Sequence, residues 1–171
     1  MNILILQGSP RATGSTAWMA EEYMKAAEAA GHTVTLVNVA KKKINGCLAC
    51  EYCHTKGNGA CVQKDDMQEL YPLLAEAEVL VLASPIYYFT LSAQLQAPIQ
   101  RFYAMMKPAN VKKTALLLSS HSPAVYDAAI AEYKSISGFC GYEDTGVVTA
   151  KLDEQKTDAT RQKVLGLVAK L

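Results

Sequence analysis

The stretch MNILILQGSPRATGSTAWMAEEYM, residues 1–24, carries the decisive pattern. Asn2–Leu6 is a short apolar run, the length and composition of a buried strand. It leads into Gly8-Ser9-Pro10-Arg11-Ala12-Thr13-Gly14-Ser15-Thr16, and a helix is predicted from about Ser15 to Ala30. That helix carries Met19, Tyr23 and Ala26 on one stripe, and Gly31 is placed to end it in a left-handed conformation. A strand, a glycine-bearing polar loop and a helix form a half-unit of a parallel α/β sheet. Gly8 and Gly14 permit tight turning and close approach by an anion. Ser9, Thr13, Ser15 and Thr16 offer hydroxyls, Arg11 a cation, and the helix start unpaired amides. A phosphomonoester suits this set.

The loop is neither of two common nucleotide loops. A P-loop has four residues between its glycines and then a lysine. Here Ser15 follows the second glycine, and the G-x-G-x-x-G fingerprint is absent as well.

Working outward, further apolar runs at Thr33–Asn38, Val79–Ala83, Thr114–Ser119 and Thr145–Thr149 read as strands. Several are nearly continuous in Val, Ile and Leu, as strands buried on both faces are. Helices are expected near Asp66–Ala77, Ser92–Met106, Pro123–Phe139 and Asp153–Leu171. Asp65 and Gln68 resemble a capping box for the first of these, and Pro72 inside it predicts a kink or a later start. Pro98 leaves the start of the next helix open between Ser92 and Gln96. Five β–α units predict a doubly wound, five-stranded parallel sheet of α/β class in the order 2-1-3-4-5. A single domain is expected over 1–171, interrupted by a long cysteine-rich connection at about 39–65.

Two more loops belong at the same sheet edge. The third strand ends in Ala83-Ser84-Pro85-Ile86-Tyr87-Tyr88-Phe89. Three consecutive aromatics leaving a buried strand suit either a stacked flat heterocycle or packing in a core or subunit interface. The fourth strand gives way to Ser119-Ser120-His121-Ser122-Pro123, where Ser120 and His121 should reach the crevice. His121 reads either as a ligand contact or as an idle loop residue.

The chain has 17 basic and 16 acidic residues, a net charge of +1, which gives no electrostatic case for nucleic acid or a membrane surface. No apolar run approaches the roughly 18 residues of a membrane span. The N-terminal run is broken too soon, by Gly8, for a signal peptide. A cytoplasmic enzyme or carrier is therefore expected. Of five cysteines, four crowd together as Cys47-x2-Cys50-x2-Cys53-x7-Cys61, and Cys140 stands apart as a core residue. The odd count argues against a disulfide framework.

Three motifs together carry a resemblance: GSPRATGST, SPIYYFTLSAQLQ, and the four cysteines followed by KDDM. They resemble the NADPH-dependent FMN reductase group of flavodoxin-like proteins, and within it the iron–sulfur flavoproteins. The likeness covers roughly residues 1–105. It implies that Ser9, Arg11, Ser15, Thr16 and the amide of Ala17 hold an FMN phosphate. Pro85, Ile86, Tyr87 and Tyr88 would line the ring, with NAD(P)H as electron donor. It also implies a homodimer or homotetramer, with the flavin near a subunit boundary. Gln96 and Pro98 depart from the lysine and aromatic that similar proteins often carry there.

The four thiols suit a four-iron–four-sulfur cluster, a tetrahedral zinc (through four sulfurs, or three with His54), or no metal. Gly57, Asn58 and Gly59 would let the loop fold back to bring in Cys61. Lys41, Lys42 and Lys43 read either as a counter-charge to a cluster or as a solvated run. The expected activity is FMN-dependent electron transfer from NAD(P)H or a reduced carrier to a flavin, quinone or similar small acceptor. A non-enzymatic flavodoxin-like carrier, or a flavin-dependent regulatory module, is the alternative. Near-neutral charge counts against the carrier.

Overall fold

Successive residues of β1 (Asn2–Gln7) point to opposite faces of the sheet, and each face has its own core. Leu4 and Leu6 join Leu80, Leu82, Leu116 and Leu118 on one side. Ile3 and Ile5 join Val79, Val81, Ala115 and Leu117 on the other. These contacts come from a computed structural model that describes residues 1–171. After β1 the chain runs through α1 (Ser15–Ala29), β2 (Thr33–Asn38), α2 (Tyr52–Thr55), α3 (Met67–Glu76) and β3 (Val79–Tyr87). It continues through β4 (Thr90–Leu91), α4 (Ala93–Arg101), β5 (Lys113–Ser119), α5 (Asp127–Cys140), β6 (Glu143–Ala150) and α6 (Asp158–Val168).

The five long strands are parallel and lie in the order β2-β1-β3-β5-β6, the expected 2-1-3-4-5 arrangement. The sixth strand, β4, is a short antiparallel addition that forms a hairpin with the end of β3. Residues of α1 (Met19, Ala20, Tyr23, Ala27) and α6 (Val164, Leu167, Val168) cover one face. Residues of α3, α4 and α5, among them Leu70, Leu74, Leu95 and Tyr133, cover the other. This is the flavodoxin-like, doubly wound arrangement, whose crossovers diverge on either side of β1 and β3 and leave a crevice at the carboxyl ends of those strands. No helix is long and apolar enough to cross a membrane.

Several local expectations need adjustment. Pro72 lies within α3 and Pro98 within α4, so neither proline ends or delays its helix. Each sits at the sixth helical position, and Pro98 is part of the buried stripe Leu95, Pro98 and Arg101. Burial of that stripe offsets the lost backbone hydrogen bond. Beyond Arg101 the chain tightens into a 3-10 turn, Phe102–Met105, rather than continuing as α-helix. The predicted capping box is not formed. Asp65 accepts from the Met67 amide at 3.2 Å, but the Gln68 side chain donates to the Gln63 carbonyl instead. The Asp65 carboxylate is taken by Arg101. Residues Pro123–Tyr126 remain outside α5, and α6 begins only at Asp158, capped by Thr157, whose Oγ1 accepts from the Thr160 amide. Gly31 ends α1 as expected, at φ +84°, and Cys140 is buried in the core.

Candidate functional site

Three strand ends and the first turn of α1 enclose a polar cavity of about 380 Å³, within the usual range of small-molecule sites. Its walls come from the loop Ser9–Thr16, from Pro85–Tyr87, from Ser119–His121, and from Leu152, Gln155 and Lys156 after β6. Gly14 precedes α1 in extended conformation, and no side chain caps the helix. The amides of Ser15, Thr16 and Ala17 therefore have no acceptor within the protein. No acidic residue occupies the first turn. Arg11 and Lys156 stand at this end without a carboxylate partner, and Lys156 Nζ donates to the Thr13 carbonyl at 2.8 Å. Free amides, the positive end of a helix and two cations make a receptor for a compact anion.

The hydroxyls expected to bind that anion mostly serve the loops themselves. Thr16 Oγ1 and Ser119 Oγ share a hydrogen bond of 2.6 Å, joining α1 to β5. Ser15 Oγ donates to Gln155 Oε1, and Gln155 Nε2 donates to the Ser120 carbonyl at 2.6 Å. Ser120 Oγ is held by the Ser122 carbonyl and by the Tyr126 hydroxyl, each at 2.6 Å. Ser9 Oγ accepts from the Arg11 amide at 3.2 Å and keeps its own proton available.

A second network locks the first loop to the third strand. Ser84 Oγ donates to the Pro85 carbonyl and accepts from the Ser92 amide, while Ser92 Oγ donates to the Gly8 carbonyl at 2.8 Å. Ser84 and Ser92 are fully buried. A Cβ on Gly8 would lie 2.5 Å from Ser92 Oγ and 2.8 Å from Leu95 Cβ. Gly8→Ala is accordingly expected to destabilise the protein by roughly 1–3 kcal/mol, as overpacking does. Urea denaturation measures it, and an unchanged midpoint would show that Ser92 and Leu95 move aside freely.

Tyr87, half-exposed, lines the cavity, but Tyr88 and Phe89 do not. They form the two-residue tip of the β3–β4 hairpin, with φ +48° and +70°. Those positions favour Asn-Gly, because both residues must be left-handed. Tyr88 is 97% exposed and Phe89 55% exposed. The left-handed conformation costs an L-residue roughly 1–2 kcal/mol, against about 0.5–1 for the extra chain entropy of glycine. Phe89→Gly is expected to leave the melting temperature unchanged or to raise it, by up to about 1 kcal/mol of stability. A clear fall would reveal packing by the ring that outweighs its strain.

Of the residues singled out from sequence, Ser9, Arg11, Ser15, Thr16, Pro85, Ile86, Tyr87 and Ser120 meet in this one cavity, and His121 with them. Ala17 lies one residue deeper in α1 and offers only its amide. Sequence pattern alone does not mark Leu152, Gln155 and Lys156, the last two because it predicts a helix from Asp153. Their signal was topological: β6 ends at the same sheet edge, so the loop after it had to border the crevice.

The cysteines form a separate place. Cys47, Cys50, Cys53 and Cys61 all line one small cavity of about 20 Å³, with Gln63, Arg101 and Tyr103. Gly57 permits the fold-back, since a Cβ there would meet the Ala60 carbonyl at 2.4 Å, and Gly59 is left-handed at φ +85°. All five cysteines are free thiols. No group of three or more His, Cys, Asp or Glu side chains stands close enough to hold a metal ion. Thiolates are the ligands a soft metal or cluster takes, but as placed these four line a cavity of water size and make no metal site. Burial pushes the Cys53 thiol up, helped by the neighbouring Cys61, Glu51 and Cys47.

The loop is anchored from α4. Arg101, 1% exposed, donates from Nη1 to the Asn45 carbonyl at 3.0 Å and to Asp65 Oδ2 at 2.8 Å, and from Nη2 to Asp65 Oδ1 at 3.2 Å. Its buried Nε has no acceptor. Although burial pushes the Asp65 carboxyl up, the Arg101 guanidinium and the Asn45 and Met67 amides hold it below the usual range. The lysine run turns away: Lys42 pairs with Glu69 of α3, and none of the three lysines lines the cavity. The Cys47 amide donates to Gln100 Oε1, and His54 Nε2 lies 2.8 Å from the Tyr103 carbonyl.

A family profile described as NADPH-dependent FMN reductase matches residues 1–168. Among curated relatives, an iron-sulfur flavoprotein of Archaeoglobus fulgidus is 35% identical over 139 residues, 81% of this chain and 60% of the relative. An iron-sulfur flavoprotein of Methanocaldococcus jannaschii is 34% identical over 106 residues, 62% of this chain and 52% of the relative. This chain thus spans about half to 60% of the length of these relatives. Among solved structures, an FMN-dependent NADH-azoreductase of Bacillus anthracis in complex with FMN superposes with a TM-score of 0.75 at 12% identity, covering 99% of both chains. An NAD(P)H:quinone oxidoreductase of Methanothermobacter marburgensis gives 0.72 at 16% identity, covering 99% of this chain and 93% of that one. At such identities the likeness concerns the fold.

Proposed function

The chain belongs to the NADPH-dependent FMN reductase family, and from that premise we propose that it binds FMN non-covalently and passes electrons from NAD(P)H or a reduced carrier to a flavin, quinone or similar acceptor. One observation carries the reading: three acceptor-free amides and two cations without carboxylate partners converge at one end of a cavity walled by Pro85, Ile86 and Tyr87 at the other. When bound, FMN supplies hydride uptake and one-electron release.

The chain's own part is binding and positioning. The Ser15, Thr16 and Ala17 amides, with Arg11, Lys156 and the Ser9 hydroxyl, hold the phosphate. The hydrogen bonds through Thr16–Ser119 and Ser15–Gln155–Ser120 fix the loops that frame it. Pro85, Ile86 and Tyr87 shield one side of the ring from water. Tyr88 serves from the hairpin tip rather than the wall. Its exposure and that of Phe89 support a subunit boundary beside the cavity, in a homodimer or homotetramer. Five free thiols suit a cytoplasmic, reducing setting.

The reading extends to a four-iron–four-sulfur cluster on Cys47, Cys50, Cys53 and Cys61, supported by the names of the curated relatives; the loop as folded does not hold it and would have to open to take it in. Such a cluster supplies one-electron exchange.

A visible spectrum of anaerobically purified protein tests both parts, with iron and sulfide analysis beside it. Flavin bands, and NAD(P)H oxidation coupled to a quinone or ferricyanide, are expected. Folded protein that stays colourless when FMN is added would overturn the flavin assignment. Protein without iron or acid-labile sulfide would overturn the cluster assignment.

A further inference from the structure

We propose that Gln155 and Lys156, in the segment between β6 and α6, form a strap across the phosphate end of the cavity and restrict it to a terminal phosphomonoester. FMN is admitted, and a flavin whose phosphate carries a second substituent, as in FAD, is refused. The proposal rests on the FMN reading above and assigns its selectivity to residues outside the phosphate loop. Three observations converge. Both residues line the cavity and bond back to the loop that faces them: Gln155 Oε1 accepts from Ser15 Oγ, and Lys156 Nζ donates to the Thr13 carbonyl at 2.8 Å. Gln155 Nε2 also donates to the Ser120 carbonyl at 2.6 Å, so one side chain spans the loops after β1 and β5. The strap is itself anchored, since the Thr157 and Thr160 hydroxyls both donate to the Glu154 carbonyl, at 2.9 and 2.7 Å. Lys156 is held left-handed there, at φ +57°. Such strain in a residue other than glycine persists where the surroundings over-determine it, ligand clamps among those places.

A phosphomonoester carries about −1.5 to −2 charge near pH 7 and presents three terminal oxygens. A phosphate with a second substituent keeps one charge and two such oxygens. The site matches the first kind. It offers three acceptor-free amides, the Ser9 hydroxyl, and two cations, Arg11 and Lys156, that have no carboxylate partner. These donors come from two sides, the start of α1 and the strap, so the phosphate lies between them. A second substituent on phosphorus would remove a charged oxygen and displace the strap bonds to Ser15 and Thr13. Donors left without acceptors are the costlier outcome.

Apoprotein is titrated with FMN, FAD and riboflavin, and binding is followed by flavin fluorescence. Wild type is expected to bind FMN about 100-fold more tightly than FAD, the worth of two displaced hydrogen bonds. Equal affinities overturn the proposal. The double variant Gln155→Ala with Lys156→Gly removes the strap contacts, and glycine suits the left-handed position, so the fold should hold, as circular dichroism checks. Its preference for FMN over FAD is expected to fall at least about tenfold, with riboflavin binding unchanged. Riboflavin has the ring without the phosphate, so general damage to the cavity would weaken all three flavins alike. That result overturns the proposal, as does an unchanged preference.

Should the double variant fail to fold, Lys156→Gly alone decides, since it keeps the Gln155 bonds to Ser15 and Ser120. It is expected to lose about tenfold in FMN affinity and none in riboflavin affinity, and equal losses overturn the proposal. Folded wild-type protein that binds no flavin sinks the FMN reading and this proposal together. Wild-type protein that binds FMN without preferring it to FAD sinks this proposal alone.

Discussion

Ser15→Asp is expected to weaken FMN binding by about 100-fold or more while leaving the apoprotein as stable as before, or slightly more so. The two effects have opposite signs for one reason. A carboxylate at the first position of α1 complements the positive end of the helix, a gain of roughly 0.3–1 kcal/mol. No acidic residue is there now, and the amides of the first turn are unpaired. A phosphate ester must come to the same amides. Opposed like charges cost several kcal/mol, which outweighs what Arg11 and Lys156 contribute at the exposed rim. Fluorescence titration of apoprotein with FMN reads the first effect, and a thermal melt without FMN reads the second. Unchanged affinity would place the phosphate elsewhere. A large fall in melting temperature would mean that the hydrogen bond from Ser15 Oγ to Gln155 matters more to stability than the helix terminus.

The second large effect concerns Asp65. Asp65→Ala leaves the Arg101 guanidinium buried and uncompensated, and removing one member of a buried pair typically costs about 3–5 kcal/mol. In a chain of this size that lowers the melting temperature by roughly 6–20 °C. The cost should depend on pH in a definite direction. Burial acts to raise the Asp65 pKa, but the Arg101 pair and two backbone amides prevail and lower it. Its stabilising contribution is therefore complete above the ordinary aspartate value of about 3.9 and is lost as pH falls through the lower folded value. Urea unfolding should show wild type and variant far apart near neutrality and converging in acid. A difference that persisted unchanged into strong acid would mean that lost packing, rather than lost charge, is responsible.

Lys42 and Arg101 show where sequence reading stops. Three adjacent lysines before the cysteines read either as a counter-charge or as a solvated run, because only proximity along the chain is visible in a sequence. In the folded protein Lys42 reaches across to Glu69 of α3. The cation at the cysteine cavity comes from the end of α4, far along the chain, brought there because Leu95, Pro98 and Arg101 share the buried stripe of that helix. Likewise Asp65 was legible as a helix cap, a local role, whereas the acceptor role that prevails needs a partner 36 residues away.

The sequence by itself determined the alternation of buried strands with amphipathic helices, hence the parallel sheet, its order and the crevice at its carboxyl edge. Near-continuous Val, Ile and Leu can be buried on both faces in only a few ways, and short connections prune those further. It also placed the loop at Gly8–Thr16 and the turn after Pro85 at that crevice, since each follows directly from a strand. Only the tertiary structure decided which groups there are free. Most hydroxyls that read as ligand contacts are engaged with Ser119, Gln155 and Tyr126, and the donors left over are backbone amides, Arg11, Lys156 and the Ser9 hydroxyl. Hydrogen-bond satisfaction is a property of neighbours in space. Composition reveals which groups could donate, but only the packed fold shows which still have a proton to offer.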